Sequence, residues 1–400
     1  MGSRILVLGA GVFQVPVITL ARQLGHYVIT MDYLPDNPGH MLANERYIVS
    51  TREKEKCYEV AKGLSIDAVL TAASDVAVPT VAYIGKKLGL PAVNLNAAET
   101  LSNKGNFRKF LRDNGLNTPK FIVSDNYDDL HQFFNEIKRK CIIKPLDSSG
   151  SKGIAPICDA GELRRCYTAI QGQFGDCAVC LEEFIEGIEV GGDAFCIDGK
   201  PEFIMVTKKS LTPPPYYVPT GHIVPGDIYE KRPDTVEGIR RELYKIFSLL
   251  EVSASPANFD VMIDNDGVIF VIDIGLRTGG NCIPDIIWHC CGIDLYRATI
   301  DASLGNRSEF PTRAITRHVG SRILGSPRDG IISSHEDPGL LKKKYDNLIE
   351  IKYDYEPGGH VRRFTQGNYR IGHIIASANT ISLLEKSLDD IEQDARIIVE

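Results

Sequence analysis

The chain has 400 residues, more than one hydrophobic core usually serves, so two to four domains are expected. Hydrophobic residues at 43% and charged residues at 24% describe ordinary globular material and exclude a disordered or fibrous protein. A net charge of −7 argues against a general binder of nucleic acid or of anionic membranes, and no apolar run has the roughly 18 residues that cross a bilayer.

Arg4 to Gly9 reads as a buried parallel strand, Gly9-Ala10-Gly11 as a turn and Val15 to Leu24 as the helix after it. A second strand covers Val28 to Met31 and ends at Asp32. An amphipathic stretch from Cys57 to Leu64 leads to a strand at Ala68 to Ala72. A helix at Val76 to Leu88 and a short final strand at Pro91-Ala92-Val93 complete a doubly wound α/β domain of about 100 residues. Asn96, with Glu99 three positions on, resembles a capping box and opens a helical region toward Leu111.

An α+β unit follows. Its predicted strands are Phe121 to Val123, Cys141 to Lys144, Ile154 to Ile157 and Val179 to Phe184, with helices at Tyr127 to Ile137 and Glu162 to Ile170. Beyond Glu189 the pattern turns mostly to strands, at Gly191 to Cys196, Phe203 to Thr207, Ala257 to Ile263 and Val268 to Ile272. A helix from Thr235 to Leu250 interrupts them, and Pro213-Pro214-Pro215-Tyr216-Tyr217 is too rich in proline for regular structure. From about residue 320 a polar stretch leads to a small unit with a turn at Gly358-Gly359, a strand at Ile371 to Ser377 and a helix at Ile381 to Ile391. The ten cysteines are scattered, mostly in apolar segments, as suits buried thiols in a reducing cytosol. Cys177-x-x-Cys180 has no second pair to complete a zinc site.

Gly9-x-Gly11, with Asp32 some twenty residues on, imitates a dinucleotide fingerprint and would suit a dehydrogenase. Gln14 stands where the third glycine belongs, so a tight turn is the plainer reading, with binding of a small substrate at this helix N-terminus a third.

Four other segments suit one nucleotide. Lys144 ends an apolar strand and precedes Asp147-Ser148-Ser149-Gly150-Ser151-Lys152-Gly153, a loop whose N–H groups and hydroxyls can wrap phosphate oxygens. The spacing is not that of a Walker loop, and a solvated Ser/Gly hairpin is the bland alternative. Glu182 to Glu189 runs from a strand edge into a connection, with backbone groups free to meet an adenine edge and Glu189 able to accept from ribose hydroxyls. The turn Asp264-Asn265-Asp266-Gly267 makes a hairpin of its flanking strands, bringing Asp260 and Asp273 together inside apolar stretches. Such a pair is costly without a cation, and Mg²⁺, which takes a few carboxylates plus phosphate oxygens, is the natural one. Arg277, before a glycine pair, can grip a phosphoryl group with both arms. Asn103-Lys104, in the helix opening the second unit, carries no weight alone.

In this order, Lys104, Lys144 with its Ser/Gly loop, Glu182-Glu-Phe-Ile-x-Gly-x-Glu189 and Asp260 with Asp273-x-Gly-x-Arg277 resemble the ATP-grasp superfamily, over most of the chain. The resemblance implies an N-terminal Rossmann-like parallel-sheet domain (1–102), a small α+β lid (103–187), a larger antiparallel-sheet C-terminal subdomain (188–320) and a small α+β unit (321–400). It also implies ATP on Lys104, Lys144 and the lid loop Ser148, Ser149, Gly150 and Ser151. Glu182 and the Ile185 backbone would meet adenine, and Glu189 the ribose. Mg²⁺ would sit on Asp260 and Asp273, and Arg277 would stabilise the acyl-phosphate. His222, in Thr220-Gly221-His222-Ile223-Val224-Pro225, resembles a histidine that reaches the transferred phosphate in amino-acid ligases of the superfamily; a loop histidine in a turn is the alternative. The family commonly has Asn where Gly275 stands and often Glu where Asp273 stands, which leaves one metal position to Asn281, Asn258 or water.

The expected function is therefore a cytoplasmic ATP-dependent ligase that joins a small carboxylate to an amine through an acyl-phosphate. Amino acids are candidate substrates and a homodimer a candidate assembly, with no nucleic-acid or membrane partner. A non-catalytic ATP-binding protein and a bicarbonate-using carboxylase are the alternatives.

Overall fold

The computed structural model describes residues 2–147, 152–213, 216–311 and 314–400. Four parallel strands open the chain, Arg4–Leu8, Tyr27–Asp32, Glu45–Ile48 and Ala68–Leu70, with the first flanked by the second and the fourth. Ile5 to Leu8 are fully buried because both faces are covered, as parallel strands require. Leu6 and Leu8 meet residues of the helices Lys54–Ala61 and Val78–Leu88, while Ile5 and Val7 join Val17, Ile18 and, from far along the chain, Ile300. The edge strand Glu45–Ile48 is not among the predicted elements. Conversely, Pro91 to Val93 is irregular and not the expected strand. The helical region at 95–113 is two helices. Asn94, not Asn96, caps Leu95–Leu101, and Asn103 caps Lys104–Asp113, each by accepting a backbone N–H with its side chain.

The second unit is a four-stranded antiparallel sheet with Phe121–Ser124, Val179–Glu183, Cys141–Pro145 and Ala155–Ile157 in that spatial order. Tyr127–Ile137 and Ala160–Phe174 cover one face through Leu130, Leu163 and Ile170.

Of the remaining strands, Gly330–Ser334, His360–Val361 and Ile398–Val399 form a small three-stranded sheet, and the others form one eight-stranded sheet. Its spatial order is Ile269–Gly275, Ser255–Asp264, Gly187–Ile197, Lys200–Leu211, Pro219–Val224, His318–Gly325, Arg370–Ala378 and Leu348–Tyr353. The polar stretch near residue 320 is thus a strand at the heart of the sheet, pairing Val319 with Val224 on one side and with Ser377 on the other. Val190, Phe259, Val261 and Val271 pack on the helix Pro233–Leu249, while Phe195, Ile197, Phe203 and Met205 join a second cluster with the helix Ile283–Cys291. Among the described residues no helix is long and apolar enough to cross a membrane.

Candidate active site

The hairpin turn forms as its sequence dictates. Gly267 takes φ +83° and the Asp264 carboxylate accepts from Asp266 N and Val268 N at 3.0 and 2.8 Å. In the resulting register Asp260 stands directly opposite Asp273, and the ladder shifts between Asp260 and Val261. Both side chains are part-exposed, 34% and 45%, and each already has a cation beside it, with Asp273 lining a cleft. Lys209 Nζ lies 2.8 Å from Asp260 Oδ1, and Lys104 Nζ 3.9 Å from Asp273 Oδ2. Burial, with the carboxylates of Asp75 and Asp260 adding to it, raises the Asp273 carboxyl above its usual range while Lys104 opposes them. Arg52, Lys54, Asp75 and Asp147 complete a mixed-charge rim around Lys104 and Asp273.

Lys144 and Glu182 are diagonal neighbours in the small sheet, where Lys144 pairs with Cys180 and Ile142 with Glu182. Their side chains meet at 2.8 Å, both nearly buried. Arg108 closes the group: Nε donates to Glu182 Oε1 at 2.9 Å, and Nη2 donates to Glu182 Oε2 at 3.3 Å and to the Ile272 carbonyl at 2.9 Å. Burial alone would raise Glu182, but Arg108 and Lys144 overcome it and bring its carboxyl down to about 2. Arg108 lies one helical turn after Lys104, and Lys104 N bonds to the Leu146 carbonyl beyond the Lys144 strand. One helix therefore ties the lysine strand to the carboxylate hairpin. After Glu183 the chain leaves its sheet, and among the described residues no acceptor takes the Ile185 N–H. Glu189 accepts from Lys209 Nζ at 2.6 Å. Ser148, Ser149, Gly150 and Ser151 lie outside the described residues.

Arg277 is held by a residue that sequence patterns do not single out. Asp75 takes Nε at 2.7 Å and Nη2 at 2.8 Å, a two-pronged pair across 202 residues. Arg277 holds the Asp75 carboxyl below its usual range against the opposing effect of burial. The same carboxylate occupies the room left by Gly275, where a Cβ would lie 2.1 Å from Asp75 Oδ1. Of the two asparagines considered for that position, Asn258 has its amide on other partners, Nδ2 donating to the Gly192 carbonyl at 3.0 Å and to Asp193 at 2.9 Å. Asn281 is tied through its backbone, whose carbonyl accepts from Ser321 Oγ at 2.9 Å. Asp193, wholly buried, also accepts Gly279 N at 2.8 Å; burial pushes its carboxyl up to about 6 against both hydrogen bonds.

His222 belongs to the strand Pro219–Val224, not to a turn, and pairs with Lys209 in register. Its Nδ1 lies 2.9 Å from Thr207 Oγ1. Burial, with Lys209 adding and Asp260 opposing, lowers the imidazole to about 3, so it is neutral near pH 7.

At the N-terminal glycine turn the N–H groups of Ala10 and Gly11 are taken by side chains of this chain. Gly11 N donates to Gln14 Oε1 at 2.9 Å, Gln14 Nε2 donates to the Ala72 carbonyl at 2.5 Å, and Ala10 N donates to Asp32 Oδ2 at 2.9 Å. Gln14 and Asp32 thus brace the turn from within, the reverse of a dinucleotide cradle.

Sequence reasoning missed Arg108, Asp75, Asp193 and Lys209 as a charge partner. Asp75 follows Ala68–Leu70 at the carboxyl edge of the parallel sheet, a position where α/β folds place ligands, and that signal could have found it. The others have no local signature.

The family model described as the ATP-grasp domain matches residues 137–285. A formate-dependent phosphoribosylglycinamide formyltransferase from Nitratiruptor sp. is 25% identical over 223 residues, which is 55% of this chain and 54% of that protein. The chain spans about half the length of the formyltransferases it matches. An L-amino acid ligase from Bacillus licheniformis superposes with a TM-score of 0.83 at 20% identity, over 100% of this chain and 99% of that one. A phosphoribosylglycinamide synthetase from Anaerococcus prevotii gives 0.80 at 23% identity, with 100% of both chains covered. At those identities the two structures establish the fold, which is the ATP-grasp fold with a parallel-sheet domain ahead of it.

Proposed function

We propose that this chain, built on an ATP-grasp domain, is an ATP- and Mg²⁺-dependent ligase that activates a small carboxylate and joins it to an amine. The observation that carries the reading is the opposed pair Asp260 and Asp273 at the mouth of a cleft lined with lysine and arginine. Two carboxylates side by side suit a hard divalent ion that takes one or two protein oxygens and completes its shell from phosphate. Among the described residues no third His, Cys, Asp or Glu joins them in a ready-made metal cluster, which fits an ion that arrives with a nucleotide. When bound there, Mg²⁺ would neutralise charge on the phosphate chain.

The chain's own residues supply position and charge. Lys144, fixed by Glu182 at the rim of the lid sheet, and Lys104, beside Asp273, bind phosphate oxygens. The Ile185 N–H, which no acceptor among the described residues takes, meets the adenine edge and Glu189 the ribose. Glu182 is enclosed by Arg108 and Lys144, so its part is to hold Lys144 and not to touch the base. The substrate carboxylate oxygen attacks the γ-phosphorus and ADP leaves. The amine nitrogen then attacks the acyl carbon, loses a proton, and expels phosphate. Charge grows on oxygen in both steps, and the Arg277 guanidinium supplies the compensating positive charge, with the neutral His222 a polar neighbour in the same sheet.

Release of ADP is measured with Mg-ATP and small carboxylates and amines, amino acids first, singly and in pairs. Pair-dependent ADP release is expected, and Lys144→Ala or Asp273→Ala nearly abolishes it while the circular dichroism spectrum is kept. Wild-type turnover in either variant would overturn the reading. Tight ATP binding with no ADP released in any pairing would make the chain a nucleotide-binding protein instead.

A further inference from the structure

We propose that the Lys209 ammonium stands in for the divalent cation in the nucleotide-free protein, and that nucleotide binding draws it off the carboxylates, so that metal enters only together with nucleotide. The inference rests on the ligase reading for the identity of the two ligands.

The geometry is that of an ion bound between two acids. Lys209 Nζ lies 2.6 Å from Glu189 Oε1 and 2.8 Å from Asp260 Oδ1, and its side chain is 8% exposed. The two carboxylates come from adjacent strands, since Asp260 pairs with Gly191, two residues beyond Glu189. Gly191 keeps the lane open: a Cβ there would lie 3.0 Å from Asp260 Oδ1 and 3.7 Å from Lys209 Cδ. Lys104 supplies the second positive charge, 3.9 Å from Asp273. Both acids of the cleft are therefore compensated without metal.

A divalent ion on Asp260 and an ammonium 2.8 Å from the same oxygen exclude one another by charge. Nucleotide resolves the conflict. Its ribose hydroxyls compete for Glu189, and its phosphates offer the displaced ammonium a new anionic partner beside the metal. Lys209 thereby couples the two sites, because a single side chain holds one acid of each.

The test uses Mn²⁺ as the probe and electron paramagnetic resonance of the full chain as the readout, with and without a non-hydrolysable ATP analogue. Wild type binds Mn²⁺ weakly alone and at least tenfold more tightly with the analogue. Lys209→Met binds Mn²⁺ alone at least tenfold more tightly than wild type, and the effect of nucleotide shrinks accordingly. Lys209→Arg, which keeps the charge, stays at the wild-type affinity, and Lys209→Met with Asp260→Asn loses the gain. Lys209→Gln serves as the second neutral variant should the Met form not fold. A Lys209→Met affinity equal to wild type, or a gain that survives Asp260→Asn, overturns the proposal and leaves the ligase reading standing. If nucleotide does not strengthen Mn²⁺ binding in wild type, the proposal falls together with that reading.

Discussion

The carboxylate of Asp75 and a side chain at position 275 are mutually exclusive, because a Cβ on Gly275 would lie 2.1 Å from Asp75 Oδ1. The contact joins the N-terminal domain to the carboxylate hairpin and fixes where the Arg277 guanidinium rests. Gly275→Asn is therefore expected to break the Asp75–Arg277 pair, and Gly275→Asn with Asp75→Ala to recover part of the loss. Residues in contact commonly couple by about 0.5–3 kcal/mol. A double-mutant cycle in urea unfolding measures this, and additive effects of the two substitutions would show that the contact carries no energy.

The group formed by Arg108, Glu182 and Lys144 separates stability from chemistry. Arg108→Met removes the guanidinium from a wholly buried carboxylate and is expected to cost about 3–5 kcal/mol, as loss of one partner from a buried pair does. Lys144→Met leaves Glu182 with Arg108, so its stability loss is smaller while ADP release collapses. Equal unfolding midpoints for the two variants would contradict this ordering.

Acid should unmask the same carboxylate. Glu182 has its folded-state carboxyl depressed to about 2, so its contribution is present above the unfolded value near 4.5 and fades as pH falls toward 2. The stability difference between wild type and Glu182→Gln is expected to be constant from pH 7 to 5 and to shrink between about pH 4.5 and pH 2. Urea titrations across that range give the answer, and a difference independent of pH would show that Glu182 gains nothing from its charge.

His222 acts with the same sign over a higher pH window. Its imidazole is neutral in the fold down to about pH 3, whereas the unfolded chain takes up the proton near 6.5. Between those values the unfolded state binds one more proton, so folding stability falls as pH drops, by up to roughly 1.4 kcal/mol per unit from this residue. His222→Gln should flatten that slope. In proton resonance spectra the His222 ring is expected to show no titration between pH 5 and 8; a midpoint near 6.5 would contradict the burial argument.

How much was legible in the sequence depended on how local the cause was. The Asp264–Gly267 turn is local chemistry, so the opposition of Asp260 and Asp273 followed from alternation and a glycine alone. Lys144 at a strand end and the order of charged segments were readable for the same reason. Arg108 finds Glu182 74 residues away, and Asp75 finds Arg277 across 202, and no periodicity announces such meetings. His318–Gly325 escaped because Gly320 and Gly325 leave gaps in its pattern that only packing explains: a Cβ at Gly320 would meet Ile223 at 2.9 Å, and at Gly325 would meet Phe364 at 2.4 Å. The N-terminal turn was legible as a tight turn, because glycine spacing reports one whatever fills it, but the side chain that fills it, Gln14, was read only as a missing glycine.

The late strand His318–Gly325 also sets where the working unit ends. His222 draws its surroundings from both neighbours: Thr207 and Lys209 on one flank, and on the other Ser321, whose Oγ accepts the His222 N–H at 3.2 Å. An excised fragment spanning 137–285 would carry Lys144, Asp260, Asp273 and Arg277, yet leave the histidine strand with a raw, unpaired flank open to water. It would also lack Asp75, and with it the two-pronged hold on Arg277. The segment that matches the ATP-grasp domain is thus not a portable machine, and grafting it elsewhere would mean bringing both ends of the chain along.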